Sequence, residues 1–227
     1  MIKAVIFDMF ETLVTLFAGS VYMGREIARE IGLSEPKFRE IWDTTDEART
    51  LGKRTLESVI EEVLTVNNCY SEELLERIIT KRKRMIKESF EHIHPEIIPL
   101  FKWFKEQNIK IGLITNCFFE ERDIIKDSVF FEYFDVMCMS CELGVKKPET
   151  AIFKKCLTEL GLAPAECLYV GDGGSLELET AKSVGMHPLQ AAWYLKDGTR
   201  QPVKRKAEFS QAECPLDVIA EIKKIGG

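Results

Sequence analysis

The chain has 227 residues, 45% of them hydrophobic, and 31 Lys and Arg against 37 Asp and Glu give a net charge of −6. That length suits one large domain or a core with a smaller companion, and the composition is that of a globular protein. The acidic balance argues against a nucleic-acid-binding face, no apolar run approaches the ~20 residues needed to cross a bilayer, and "MIKAVIF" lacks the pattern of an export signal.

The first element is the run from Lys3 to Phe7, β-branched and aromatic, apolar on both faces and closed by Asp8. It reads as a central strand of a parallel sheet. Residues 16–94 carry no strand pattern. There "VYMGREIAREIG", "EPKFREIWDTTDEART", "TLESVIEEVLTV" and "SEELLERIITKRKRMIKESF" space their apolar residues as four amphipathic helices. From "PEIIPLFKWFKEQN" onward helix and strand alternate. The strands are "IKIGLIT" (109–115), "FDVMCMS" (134–140), "CLYVGD" (167–172) and the weaker "HPLQAAW" (187–193). The helices "PETAIFKKCLTELG" and "LELETAKSVG" fall among them. Residues 196–212 are polar and are expected to be loop, and "CPLDVIAEIKKIGG" a closing helix. The alternation predicts an α/β protein, a doubly wound, Rossmann-like parallel sheet with helices on both faces. The expected organisation is a core of residues 1–15 and 95–227, interrupted by a four-helix cap at 16–94.

Seven cysteines, an odd number spread along the chain, fit free thiols in a reducing cytoplasm, the expected location. Cys138 and Cys141 form a lone C-x-x-C, without the second ligand pair that structural zinc requires.

Open parallel sheets bind ligands beyond the carboxyl ends of their strands. The first predicted strand ends there in Asp8, the second in Thr115 and Asn116, the fourth in Asp172 followed by Gly173 and Gly174. Past the third lie Lys146 and Lys147, before Pro148, which is expected at the first turn of its helix. The chemistry these groups share is phosphoryl transfer. Asp8 can attack phosphorus and form an aspartyl-phosphate. Two anions repel, so positive charge is required. Mg²⁺ held by Asp8 and Asp172 supplies it, with lysine as a point charge. The Thr115 hydroxyl and backbone N–H groups of the glycine turn can hold the non-bridging oxygens, and the helix after Pro148 favours an anion at its N-terminus.

Four stretches, in order, carry a family resemblance: "DMFETL", "LITN", "GVKKPETAIF" and "VGDGGSLELETAKSVGM". Together they resemble the four motifs of the haloacid dehalogenase superfamily, most of whose members are phosphatases. The resemblance spans the whole chain, including a helical cap between the first two motifs. It implies Asp8 as nucleophile and Thr115, Asn116 and Lys147 as phosphoryl-binding groups. It also implies a metal site of Asp8, the backbone carbonyl of Phe10, Asp172 and Glu177.

Phe10 is a departure. Superfamily phosphatases carry an aspartate there, which protonates the leaving group and then activates water. Haloacid dehalogenases place an aromatic residue at that point and attack carbon without metal; phosphonatases place a small residue there and use a cap lysine. Because Asp172 and Glu177 are retained, phosphorus is favoured over carbon. Loss of a general acid costs roughly 10²–10⁴-fold, about 3–5 kcal/mol. Glu11 is the nearest substitute, and Asp43, Asp46 and Glu47 are further carboxylates in the cap. The expected function is Mg²⁺-dependent hydrolysis of a small phosphorylated metabolite. Its alternatives are a metal-independent 2-haloacid dehalogenase, a phosphonatase-like hydrolase using Lys53, and a binding protein without turnover. Arg25 is weighed as a substrate-carboxylate ligand against a surface helix arginine. His92 and His94 read as hinge residues, and Trp42, Tyr22 and Phe38 as bundle core. The sequence indicates no partner protein and assigns no oligomeric state.

Overall fold

The computed structural model describes residues 1–18, 21–195 and 203–226. Among these residues, six parallel strands form one sheet: β1 (Ala4–Phe7), β2 (Lys110–Thr115), β3 (Val136–Met139), β4 (Cys167–Gly171), β5 (His187–Ala191) and β6 (Ser210–Ala212). Their order is β3-β2-β1-β4-β5-β6. β1 is buried along its whole length, flanked by β2 and β4, with Phe7 in register with both Leu113 and Val170. Each such Val, Ile or Phe side chain stabilises the fold by about 1.5–3 kcal/mol. The chain winds from β1 outward through β2 to β3, then returns to lay β4 on the other side of β1. The reversal lies between β1 and β4, so Asp8 and Asp172 leave the sheet side by side.

Among the described residues, five α-helices lie between β1 and β2 along the chain: α1 (Gly24–Glu30), α2 (Glu35–Trp42), α3 (Asp46–Thr50), α4 (Leu56–Val66) and α5 (Glu72–Glu91). The remainder are α6 (Ile97–Glu106), α7 (Phe119–Lys126), α8 (Ser140–Leu143), α9 (Thr150–Leu160), α10 (Glu177–Ser183) and α11 (Asp217–Gly226). Alternate residues of β1 face opposite layers. Val5 and Phe7 pack with Leu100, Phe101 and Phe104 of α6 and with α11. Ala4 and Ile6 pack with Phe153 of α9, Leu178 of α10 and Tyr169. A third apolar cluster, with Ile27, Phe38, Ile60, Leu64 and Ile78, belongs to α1, α2, α4 and α5 alone. Trp42 stacks on Phe38 with ring centroids 5.2 Å apart, and Tyr22 packs partly against this cluster.

Several expected boundaries change. The helix expected over residues 35–50 breaks into α2 and α3 around a 3-10 turn at Asp43–Thr45. The hydroxyl of Thr44 donates to Glu40 O and Ile41 O, and that of Thr45 to Trp42 O, so side chains compete for the helical carbonyls. Pro148 does not open a helix: α9 begins at Thr150, with Glu149 as its N-cap. The segment expected to be loop ends in strand β6, which pairs with β5; residues 196–202 of it lie outside the described residues. Helix α7 carries buried Glu120 and Glu121 on the face where an apolar stripe is the usual signal.

Two of the contacts that tie the helical segment to the sheet layers stand out. Arg82 of α5 donates to Glu121 of α7 at 3.3 Å, both side chains buried. Gly52, between α3 and α4, has a left-handed φ of +69°, and a Cβ there would lie 2.0 Å from Cys141 O. Only glycine lets this turn sit on α8. All seven cysteines are free thiols, and Cys117 Sγ lies 3.7 Å from Cys141 Sγ. Among the described residues no helix is long and apolar enough to cross a membrane.

Candidate active site

Asp8 follows β1, Asp172 follows β4, and Glu177 opens α10 after the glycine turn. One carboxylate oxygen from each lies within 4.8 Å of the other two, and all three residues are buried. Lys147 Nζ sits between two of them, 2.6 Å from Asp8 Oδ1 and 2.5 Å from Glu177 Oε2. The cleft outside is lined by Asp8, Phe10, Glu11, Asn116, Lys147, Gly174 and Ser175, among others.

The backbone explains the arrangement. Gly171 ends β4, and a Cβ there would lie 2.1 Å from Glu177 Oε1, so the space of a side chain is occupied by the carboxylate. Gly173 N donates to Glu177 Oε1 at 3.0 Å, and Gly174 N to Asp172 Oδ1 at 2.8 Å. Tyr169 Oη donates to Glu177 Oε2 at 2.9 Å. The turn thus orients the acids, and the Gly173 N–H expected for phosphate is bonded to Glu177. Asn116 holds the lysine loop: Lys147 N donates to its Oδ1 at 2.8 Å, and its Nδ2 donates to Lys147 O at 3.1 Å. The Thr115 hydroxyl is fully buried at the end of β2, 3.4 Å from Asn116 O. Thr115 and Gly173 do not line the cleft.

Three carboxylates share this space with one ammonium. Burial pushes Asp8 up to about 7; Lys147 opposes the shift and Glu177 adds to it. Burial, then Glu177 and Asp8, push Asp172 up to about 8. Burial would lower Lys147, but Asp8 and Glu177 outweigh it and hold the ammonium well above its usual range. Asp8 and Asp172 therefore hold their protons to higher pH than an ordinary carboxylate, where a cation would otherwise balance their charge. Hard oxygen donors with surplus negative charge fit a divalent ion such as Mg²⁺.

Phe10 turns its half-buried ring onto Phe90 of α5, edge-on with centroids 6.5 Å apart. Glu11 has a left-handed φ of 58° and is buried. Its Oε2 accepts from Thr15 Oγ1 at 2.7 Å and its Oε1 from Leu16 N at 2.9 Å, so the carboxylate folds back on its own loop. Trp193 Nε1 anchors that loop through Thr12 O at 2.7 Å. The other candidates lie apart. Arg25 is exposed and paired with Glu35, and Lys53 is exposed. Asp43 pairs with Arg39, Asp46 with Arg49, and Glu47 with Lys146. His92 Nδ1 bonds Glu88 O, while His94 N donates to Tyr194 Oη. Sequence reasoning overlooked Tyr169, Gly171 and Ser175. A tyrosine in a strand looks like packing, and the glycine of "VGD" gains meaning only when Glu177 is seen against it.

A doubly wound parallel sheet with this acid–lysine cluster at its switch point defines a Rossmann-like α/β fold with its ligand site at the strands' carboxyl ends. The chain belongs to the haloacid dehalogenase-like hydrolase family, whose profile matches residues 2–185. It is 26% identical over 245 residues to a glyceraldehyde 3-phosphate phosphatase of Methanopyrus kandleri, across 99% of this chain and 100% of that one. It is 33% identical over 93 residues to the rhythmically expressed gene 2 protein of Drosophila melanogaster; this match spans 39% of the chain and only 35% of that protein. A crystal structure of a HAD phosphatase from Thermococcus onnurineus superposes with a TM-score of 0.66 at 21% identity, covering 97% of this chain and 98% of that one. A 2-haloacid dehalogenase from Pseudomonas syringae pv. Tomato superposes with a TM-score of 0.67 at 19% identity, covering 99% of each. The chain is an enzyme of this family, its curated relatives include a phosphatase, and the structural likenesses show the shared fold.

Proposed function

We propose that the chain is a Mg²⁺-dependent phosphohydrolase acting on a small phosphorylated metabolite. The observation that carries this reading is the buried cluster of Asp8, Asp172 and Glu177, whose oxygens lie within 4.8 Å of one another. Attack on carbon does not call for a surplus of carboxylates, whereas bringing a phosphate beside an aspartate calls for a balancing cation. When bound, Mg²⁺ would be held by Asp8, Asp172 and the Phe10 carbonyl, with Glu177 orienting its outer shell, and would supply Lewis-acid charge at the phosphoryl oxygens. Residues 1–15 and 95–227 form the core in this reading, and 16–94 a cap that closes over substrate and excludes bulk water.

Asp8 is the nucleophile. Lys147 engages Oδ1, which leaves Oδ2 for attack on phosphorus. Attack breaks the ester P–O bond and forms an aspartyl-phosphate; water then releases phosphate and restores the carboxylate. Asn116 acts by fixing the Lys147 main chain as well as by facing the cleft. Thr115 supports the end of β2 beneath the phosphoryl site, and the Gly173 turn orients Glu177. Glu11 organises its loop through Thr15 and Leu16, so the leaving group departs without a dedicated acid. Turnover then favours aryl and acyl phosphates over alkyl phosphates, which need protonation more.

The test is phosphate release from p-nitrophenyl phosphate and a panel of alkyl phosphates, glyceraldehyde 3-phosphate among them, with Mg²⁺ and with EDTA. Metal-dependent release, faster for the aryl ester, is expected, and Glu11→Gln should change kcat by less than about 3-fold. A loss near 10²-fold in that variant would return Glu11 to the role of acid. Chloride release from 2-haloacids without metal would replace the reading with a dehalogenase.

A further inference from the structure

We propose that Tyr169 is a positioning residue whose hydroxyl fixes the Lys147 ammonium against Asp8. An ammonium has three N–H donors and no acceptor, so its orientation is set only when three acceptors surround it. Lys147 Nζ has Asp8 Oδ1 at 2.6 Å, Glu177 Oε2 at 2.5 Å and Tyr169 Oη at 3.4 Å. The phenol has one proton, which it donates to Glu177 Oε2 at 2.9 Å. Its lone pairs then face the ammonium. Lysine, tyrosine and glutamate close a triangle in which every polar hydrogen has an acceptor.

The ring is held as firmly as the hydroxyl. Tyr169 is fully buried in β4, in register with Ile6 of β1. Its ring packs on Phe153 of α9 with centroids 5.3 Å apart. A buried phenol needs one partner to be satisfied, and Glu177 provides it. The second contact, to Lys147, exceeds that need. Without the hydroxyl, one N–H of the ammonium loses its acceptor and Glu177 Oε2 loses a donor. The long lysine side chain then samples orientations away from Asp8.

The kinetic arm of the test rests on the phosphohydrolase reading; the spectroscopic arm does not. Tyr169→Phe keeps the ring and removes the oxygen. The Lys147 side-chain ammonium should give a protected ¹⁵N–¹H signal in the wild type, with hydrogen exchange at least about 10-fold faster in Tyr169→Phe, because an N–H without a protein acceptor exchanges through water. With p-nitrophenyl phosphate, kcat should fall about 10- to 100-fold while KM stays within about 2-fold, the pattern of lost orientation rather than lost binding. Thermal melting checks that the variant is folded. Equal exchange protection in the two proteins overturns the proposal, as does an unchanged kcat beside a lowered melting temperature, which marks a structural tyrosine. If the wild type releases no phosphate, the functional reading fails, and the exchange measurement alone decides the tyrosine's role.

Discussion

Phe10 and Asp8 are two residues apart, and the difference between their environments governs the chemistry proposed for the cleft. Asp8 is buried beside Lys147, whereas Phe10 rests its ring on Phe90 and offers the leaving group no proton. Placing a carboxylate there tests the consequence. Phe10→Asp should raise alkyl-phosphate turnover by at least about 10-fold and leave the aryl rate within about 3-fold, because only the poor leaving group needs the acid. A matched set of kcat values on the two ester classes measures it, and an unchanged aryl-to-alkyl ratio would remove leaving-group protonation from the account. Much at this scale was legible in the sequence. Asp8, Asn116 and Asp172 announce themselves as polar residues ending apolar runs, and Lys147 by standing before Pro148; Thr115 ends such a run too but lies buried behind the cleft. Tyr169 and Gly171 give no such signal, because their meaning depends on Glu177, which returns across the turn to lie against the strand. Glu11 has a conformation that sequence does not show: it stands beside Phe10 and lines the cleft, and its left-handed backbone turns the carboxylate onto Thr15 and Leu16.

Among the elements, α5 and α7 form a junction that periodicity does not reveal. Arg82 and Glu121 are buried partners 39 residues apart, and an acid on the inner face of α7 hides the helix from an apolar pattern. The same limit explains β6, whose "SQA" has no strand signature and pairs only because β5 offers an edge. It explains the break after α2 as well, where threonine hydroxyls take the carbonyls. Strands β1, β2 and β4 were legible because burial on both faces demands continuous apolar runs, while β5, "HPLQA", gives the weaker signal of a partly exposed strand. The junction makes a prediction. Burial pushes Glu121 up to about 7, against the pull of Arg82 and with the push of Glu120. Its pKa is thus higher folded than unfolded. Its contribution favours the fold fully below the unfolded value near 4.5 and is lost as pH rises through about 7. Removing Arg82 leaves Glu121 without its hydrogen-bonded cation. Arg82→Ala should therefore cost about 3–5 kcal/mol at pH 8 and distinctly less at pH 5.5, where Glu121 is protonated. Urea melts at the two pH values measure this, and an equal loss at both would assign the effect to packing.

For the molecule as a whole, the winding of the sheet decides where charge accumulates. The reversal between β1 and β4 delivers Asp8 and Asp172 to one point, and α10 adds Glu177. The pair Asp8 and Asp172, pushed up to about 7 and about 8, stabilises the metal-free fold when protonated, fully below the unfolded value of 3.8. That stability is lost as pH rises through 7 to 8. A divalent cation takes the place of those protons. Added Mg²⁺ should raise the melting temperature by several degrees at pH 8 and by little at pH 5.5. A shift that is larger at pH 5.5 would place the cation elsewhere.

The most direct test of the central claim is phosphate release from p-nitrophenyl phosphate by the wild type and by Asp8→Asn, each with Mg²⁺ and with EDTA. The account predicts release by the wild type with Mg²⁺ only, and a loss of at least about 10³-fold in Asp8→Asn, because the amide cannot attack phosphorus. Release that persists in EDTA, or that survives in Asp8→Asn, would contradict it.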